Sequence, residues 1–219
     1  MSDFWEQPEA VERFARRDPD HRLLRLVDRH LDPSTDSVLD VGCAGGRNAE
    51  LLARLGFDVH ALDTSSAMVE ETRARVARHL GEAEAERRVR RGPMDALPYA
   101  DDSFDLVVAL GVYHNAADRS EWDRAISETA RVLRAGGLLL LSEFSPDTDL
   151  HGEGMPPVPG APDTFEGPHG RMVLLDADAV DAGLAAHGLE AEVPTEVVRV
   201  DLDPGRRVSV NGLYRMRSE

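Results

Sequence analysis

The sequence predicts an α/β protein: a mostly parallel sheet with helices on both faces, closed at its C-terminal end by an antiparallel hairpin. Three observations predict it. Short apolar runs of strand length alternate with longer stretches whose apolar residues recur at helical spacing. A glycine-rich turn joins the first of these runs to the helix that follows. The last two strand-like segments are joined by Asp203-Pro204-Gly205, residues suited to a hairpin turn.

Residues 8–31 read as helical, because Val11, Phe14, Leu23, Leu24, Leu26, Val27 and Leu31 interleave with charges, and Pro33 ends the stretch. Ser37 to Gly42 is too short for a helix and too apolar for a loop, which fits a buried parallel strand. A helix follows over Arg47–Leu55, a strand over Phe57–Leu62 and a helix over Ser65–Leu80, capped by Thr64 or Ser65. Arg88–Arg91 is a short third strand, Gly92–Ser103 a loop and Phe104–Leu110 a fourth strand. Trp122–Arg134 carries an apolar stripe through Ala125, Ile126, Thr129 and Leu133, and Ala135-Gly136-Gly137 is expected to stop that helix. Leu138–Phe144 is the most apolar strand and belongs at the sheet centre. Ser145–Gly170, rich in proline and glycine, shows little periodicity and is expected to be an irregular, functional loop. Asp176–His187 is a helix ended by Gly188, and the strands Leu189–Leu202 and Arg207–Met216 complete the chain.

The 219 residues suit one domain: a helical cover (1–34), a core (36–144), a lid-like insertion (145–172) and a last helix with its hairpin (173–219). The formal net charge is -16, and all 25 basic residues are arginine. Such a surface repels phosphate backbones, so neither nucleic acid nor an anionic membrane is an expected partner. GC-rich coding and adaptation to high salt both account for the missing lysine. No apolar run reaches the roughly 18 residues of a membrane span. The N-terminus shows no basic region followed by an apolar one, and the single cysteine, Cys43, fits a reducing compartment. The expected location is cytoplasmic.

The sharpest local signal is Val38-Leu39-Asp40-Val41-Gly42-Cys43-Ala44-Gly45-Gly46-Arg47-Asn48. Small residues at a strand-to-helix turn let a ligand approach the backbone and the free N–H groups of the helix end. Asp63 lies 21 residues after Gly42, at the tip of the second strand, where a carboxylate can accept hydrogen bonds from ribose hydroxyls. Dinucleotide folds place G-x-G-x-x-G at such a turn; here the small residues are Gly42, Ala44 and Gly46.

This turn, with Asp40 two residues before its first glycine, resembles the first motif of class I S-adenosylmethionine-dependent methyltransferases. The resemblance extends in order through Asp63-Thr64-Ser65-Ser66-Ala67-Met68, Gly92 to Val107, and Arg131 to Gly137, covering about residues 36–144. It implies a Rossmann-like, seven-stranded, mostly parallel sheet and S-adenosyl-L-methionine as cofactor. It further implies that the turn at Gly42, Ala44 and Gly46 faces the amino-acid part of that cofactor, with Asp40 acting there through water or a backbone amide. Asp63 and Thr64 would meet the ribose, Met68 would pack by the adenine, and Met94 and Asp95 would reach the adenine edge. Pro93 departs from the family pattern, because a side-chain acceptor often stands at its place, so the Met94 amide would take over that contact.

Methyl transfer is an in-line displacement that needs a positioned nucleophile in a dry pocket, with a general base only where the acceptor's acidity demands one. Ligands of parallel sheets sit outside the carboxyl ends of the strands, so Leu110, Tyr113 and His114 are expected to border the pocket. His114 is a candidate base, or alternatively a cap for the next short helix, and Tyr113 a candidate wall. The Asn/Asp-Pro-Pro-aromatic signature of amino-methylating relatives and the Pro-Cys pair of cytosine C5 enzymes are absent. In the insertion, His151, Glu153, Glu166, His169 and Arg171 are candidate lid residues without metal-ligand spacing, and Arg171 is available to an anionic acceptor or a salt bridge. Phe4, Trp5, Arg13 and Phe14 are candidates for a second cover. The expectation is methyl transfer to an O, N or S atom of a small molecule. A non-catalytic cofactor-binding module of the same fold and an NAD(P)-dependent oxidoreductase are the alternatives.

Overall fold

The computed structural model describes residues 3–218. After a 3-10 turn at Asp3–Glu6, helices α1 (Pro8–Ala15) and α2 (His21–His30) precede the sheet. Then follow β1 (Ser37–Val41), α3 (Arg47–Leu55), β2 (Asp58–Asp63), α4 (Ser66–Leu80), α5 (Glu82–Arg88), β3 (Val89–Arg91) and β4 (Phe104–Leu110). A second 3-10 turn, Tyr113–Asn115, leads to α6 (Arg119–Val132) and β5 (Leu133–Phe144). The chain continues through β6 (Pro157–Val158), β7 (Ala161–Gly167), β8 (Gly170–Val173), α7 (Ala177–Ala185), β9 (Leu189–Ala191), β10 (Glu196–Asp201) and β11 (Arg206–Met216).

The main sheet has the order β10-β11-β5-β4-β1-β2-β3. Its β1, β2, β3, β4 and β5 run parallel, while β11 inserts antiparallel beside β5. Every residue of β1 is buried, as a strand covered on both faces requires. One apolar layer packs Trp122, Ile126, Val180 and Leu184 of α6 and α7 against one face. The other packs Leu23, Leu26, Leu51, Leu52 and Val76 of α2, α3 and α4 against the opposite face. Among the described residues no helix is long and apolar enough to cross a membrane.

Helix starts follow side-chain chemistry. Asp20, Ser65, Asp118 and Asp176 each accept a backbone N–H at the start of α2, α4, α6 and α7. Helix α3 instead starts at Gly46, in the left-handed region at φ 77° and without a side-chain cap. Its first N–H groups therefore have no capping side chain to meet.

Three expectations are corrected. The edge segment Leu189–Leu202 is two strands, both paired with β11, which makes the sheet eight-stranded rather than seven-stranded. Pro194, between them, has no N–H to continue the ladder. Second, the Ala135-Gly136-Gly137 sequence does not stop α6, which ends at Val132; it forms a bulge inside β5, where pairing jumps from Phe104–Leu133 to Leu106–Leu138. Third, Ser145–Gly170 is not an irregular loop: β6, β7 and the start of β8 build a small antiparallel sheet, tied to the main body by the Asp149–Arg206 bridge. Helix α5 is an element the sequence reading missed.

Candidate active site

The glycine-rich turn sits where β1 delivers it, beside the carboxyl end of β2. Gly42 N and Cys43 N both donate to Leu62 O, at 2.9 and 3.0 Å, and the Ala44 amide donates to Asp63 Oδ2 at 2.9 Å. Gly42 and Gly46 have φ of 67° and 77°. A Cβ on Gly42 would strike Val112 at 2.6 Å, and one on Gly46 would strike Thr72 Oγ1 at 2.8 Å. Ala44 shares the left-handed conformation at φ 48°, uncommon for a residue with a side chain. Thr72 Oγ1 donates to Ala44 O at 2.7 Å and thereby ties α4 to the turn; no sequence signal pointed to Thr72.

Asp40 lies under this turn, 2% exposed, with Oδ2 buried and unpartnered among the described residues. Burial pushes its carboxyl up to about 7, assisted by the charge of Asp63 and opposed by the Arg47 guanidinium. An orphaned buried carboxylate oxygen beside a turn with no room for side chains is a cradle for a polar, partly cationic ligand. The amino-acid end of S-adenosylmethionine has that character, so the residues fit the cofactor.

Asp63 is half-buried at the tip of β2. Its Oδ2 accepts from Ala44 and its Oδ1 accepts from the Ser65 amide at 2.9 Å. Burial raises its pKa more than these backbone donors lower it. Thr64 follows it, with its carbonyl taken by Arg91 Nε at 2.9 Å. Met68 is fully buried in the first turn of α4, and Met94 is buried in the loop after β3. Asp95 is held by Arg124 of α6 at 3.0 Å, so its carboxylate is partly committed to an ion pair. Leu110 is half-buried at the end of β4. Thus hydrogen bonds tie the turn at Gly42, Ala44 and Gly46 to the end of β2 and Asp63, with Asp40 buried in β1 just before the turn and Met68, Met94 and Leu110 on the adjoining elements.

After β4 the two candidates diverge. Tyr113 is wholly buried, its hydroxyl 2.5 Å from Thr129 Oγ1 of α6, and burial drives its pKa far up. It is a core residue rather than a pocket wall. His114 is 4% exposed and stacks on Phe144 with ring centroids 4.2 Å apart. Its Nδ1 accepts from the Phe144 amide at 3.3 Å, and burial lowers its pKa to about 3. The ring is therefore neutral with its proton on Nε2. With the Nδ1 lone pair engaged, the ring is set to donate a hydrogen bond from Nε2. Among the described residues its Nε2 has no protein partner.

Two covers meet over this region. Glu6 accepts from the amides of Ser66 and Ala67 at 2.9 and 3.1 Å, so the N-terminal turn plugs the start of α4; Ser65 Oγ donates to Trp5 O at 2.9 Å. His169, between β7 and β8, stacks on Phe4 at 3.7 Å, and Trp5 lies 5.3 Å from Phe14. Glu166 pairs with Arg171 at 3.3 Å, which gives Arg171 its salt bridge, while His151 and Glu153 are exposed. A cavity of about 720 Å³ lies between α1 and α4, but none of Asp40, Gly42, Asp63 or Met94 lines it.

A buried carboxyl that the sequence reading missed, Glu143 of β5, accepts from Trp122 Nε1 at 3.1 Å through both oxygens. Burial pushes it up to about 8, against the nearby Arg119 charge. Its flanks in the sequence are those of a core strand, which gave no sign of it.

A family model described as "Methyltransferase domain" matches residues 39–141, the span from β1 into β5 that holds the turn, Asp63 and the β4 end. This chain carries a class I S-adenosylmethionine-dependent methyltransferase domain. Methyltransferase GfsG of Streptomyces halstedii is 38% identical over 145 residues, 64% of this chain and 49% of that protein. The 27-O-demethylrifamycin SV methyltransferase of Amycolatopsis mediterranei is 38% identical over 112 residues, 50% of this chain and 39% of that protein. The chain thus spans about half the length, or less, of these curated relatives. A SAM-dependent methyltransferase from Methanosarcina mazei shares the fold, with a TM-score of 0.71 at 19% identity over 93% of this chain and 100% of that one. The methyltransferase domain is therefore the part of the chain to which the cofactor class attaches.

Proposed function

We propose that this protein is an enzyme that transfers a methyl group from S-adenosylmethionine to an oxygen, nitrogen or sulfur atom of a small molecule. The observation that carries the reading is the group formed by Asp40, the Gly42–Gly46 turn and Asp63. Its orphaned Asp40 Oδ2 and open α3 start suit the amino-acid end of the cofactor, and Asp63 suits the ribose. The cofactor, when bound, supplies a methyl group on a sulfonium leaving group.

The protein's own residues bind, orient and exclude water. His114 offers a neutral Nε2–H at the carboxyl end of β4 and orients an acceptor atom without taking its proton. The aromatic cover of Phe4, Trp5 and His169 shields the site from water. An oxygen acceptor is favoured by the relative from Amycolatopsis mediterranei, a 27-O-demethylrifamycin SV methyltransferase. The net charge of -16 argues against nucleic acid and anionic membrane as partners, and a reduced, buried Cys43 suits the cytoplasm. The test is isotopic methyl transfer from labelled S-adenosylmethionine to a metabolite extract. Labelled small products are expected; cofactor binding without any labelled product would favour a non-catalytic module.

A further inference from the structure

Water-facing apolar side chains are not spread evenly over this protein. Among the described residues, five of the seven large apolar side chains that stand exposed are Val193, Val197, Val198, Val200 and Leu202, each 37–57% exposed. They lie on and beside β10, the last strand at one edge of the main sheet. Single exposed apolar residues are ordinary on a protein surface, whereas a cluster of them marks a contact. The opposite edge is protected, because β3 is only three residues long and carries Arg90 and Arg91. No such protection is built into β10. Its six residues, Glu196–Asp201, are all exposed, include neither lysine nor proline, and pair with β11 without a bulge.

The ladder fixes which backbone groups face outward. Leu202 N donates to Gly205 O at 2.9 Å, inside the hairpin. Val208 and Arg206, which stand opposite Arg199 and Asp201, bond away from β10, to Ser145 and Asp149. Arg199 and Asp201 therefore occupy non-hydrogen-bonded pairs of the ladder, and their own N–H and C=O groups point out of the sheet edge. Their side chains share one face, where Arg199 Nε meets Asp201 Oδ1 at 3.0 Å. Val198, Val200 and Leu202 share the other face. Among the described residues no strand lies on the outer side of β10.

We propose that β10 pairs antiparallel with β10 of a second copy of this chain, joining the two main sheets across a two-fold axis at Val200. The outward groups belong to odd-numbered residues, so odd must face odd, and the axis passes through a residue rather than between two. An axis at Arg199 or Asp201 sets like charges opposite each other, and one at Val197 or Val198 sets Glu196 against a valine. At Val200 the strand is complementary to itself. Arg199 faces Asp201 of the second copy and the reverse, Val198 faces Leu202, and Val200 faces its own copy. The net charge of -16 on each chain opposes association, but the paired segment brings Arg199 and Asp201 together in equal number. Salt at about 0.15 M screens the rest beyond about 8 Å. One strand pair is small beside the roughly 1,200–2,000 Å² of a stable interface, so the dimer is reversible, with a Kd on the order of 10 μM. Strands β11, β5 and β4 separate β10 from β1, so each chain keeps its own glycine-rich turn and Asp63.

Sedimentation velocity over about 1–200 μM protein at about 0.15 M salt tests this, and a monomer–dimer equilibrium is expected. Val200→Lys, which sets two cations at the axis, should weaken the dimer at least about tenfold. Arg199→Asp and Asp201→Arg should each weaken it too, because each sets like charges across the axis. An equal mixture of these two variants should associate again, since every pair in the mixed dimer is then oppositely charged. That recovery separates pairing between chains from the Arg199–Asp201 contact within one chain, and circular dichroism checks that each variant is folded. Hydrogen exchange should show the Arg199 and Asp201 amides slowing as concentration rises. A parent that sediments as a monomer throughout overturns the proposal. So does association that Val200→Lys leaves unchanged, a mixture that stays monomeric, or a dimer in which those two amides exchange as fast as in the monomer.

Discussion

The Ala44 amide donates to Asp63 Oδ2 at 2.9 Å and so locks the glycine-rich turn to the tip of the neighbouring strand. The carboxylate expected to meet the cofactor ribose is thus also the clamp that shapes the turn holding the cofactor's other end. Asp63→Ala should cost both functions. Losing two charge-assisted bonds, about 1.5–3 kcal/mol each in the general case, is expected to weaken S-adenosylhomocysteine binding at least about tenfold. Isothermal calorimetry checks this; undiminished affinity would remove Asp63 from the site.

Ala44 pays a backbone cost at φ 48° that glycine would not. The left-handed conformation costs an alanine about 1–2 kcal/mol, which the greater freedom of glycine in the unfolded chain offsets by roughly 0.5–1 kcal/mol. Ala44→Gly should therefore leave stability unchanged or slightly raised. Ala44→Val, with a β-branched side chain in that region, should lose about 1–3 kcal/mol. Urea melts should place the valine variant below the parent and the glycine variant at or slightly above it.

His114 and Glu143 give stability opposite pH slopes. The folded His114 titrates at about 3 against an ordinary 6.5, so between these values the unfolded chain binds the extra proton and stability falls as pH drops. The folded Glu143 titrates at about 8 against an ordinary 4.5, so across that window the folded chain holds the extra proton and stability falls as pH rises. Each slope is at most ~1.4 kcal/mol per pH unit. Glu143→Gln keeps an acceptor for Trp122 Nε1 and should be more stable than the parent at pH 8, with the advantage shrinking toward pH 5. His114→Gln should flatten the acid side. Denaturant melts across this range test both.

A neutral His114 also predicts the activity profile. The rate should show no inflection from this imidazole between pH 5 and 8, and His114→Gln, which can still donate a hydrogen bond, should retain more activity than His114→Ala. A base-type profile with an apparent pKa near 6.5 that disappears in His114→Gln would contradict the Nε2–H assignment.

The two tryptophans report on different places. Trp122 is fully buried against Glu143, whereas Trp5 is half-buried beside Phe14 and His169. Titration with S-adenosylhomocysteine should change the emission of Trp5 and leave Trp122→Phe protein with the same response. A response that survives in Trp5→Phe would mean that the N-terminal cover does not sense the cofactor.

The alternation of strand and helix, the turn with its small residues and Asp63 were legible because their signals are local. Periodicity and turn chemistry act over a few residues, and the motif spacing keeps its order along the chain. The errors were non-local. Ala135-Gly136-Gly137 is a helix stop by composition, and only the ladder between β4 and β5 made it a bulge. The insertion reads as loop because prolines and glycines mask short strands, which are stabilised by one another and by the Asp149–Arg206 bridge.

By itself, then, the sequence determined the α/β sheet, the cofactor turn and the resemblance that names the methyl donor, since each is written in contiguous residues. The tertiary structure decided what depends on environment. It buried Tyr113 against Thr129, engaged Nδ1 of His114 with the Phe144 amide, and raised the carboxyl of Glu143 in an apolar layer. Burial and tautomer arise from contacts across the fold, and no window of sequence contains them.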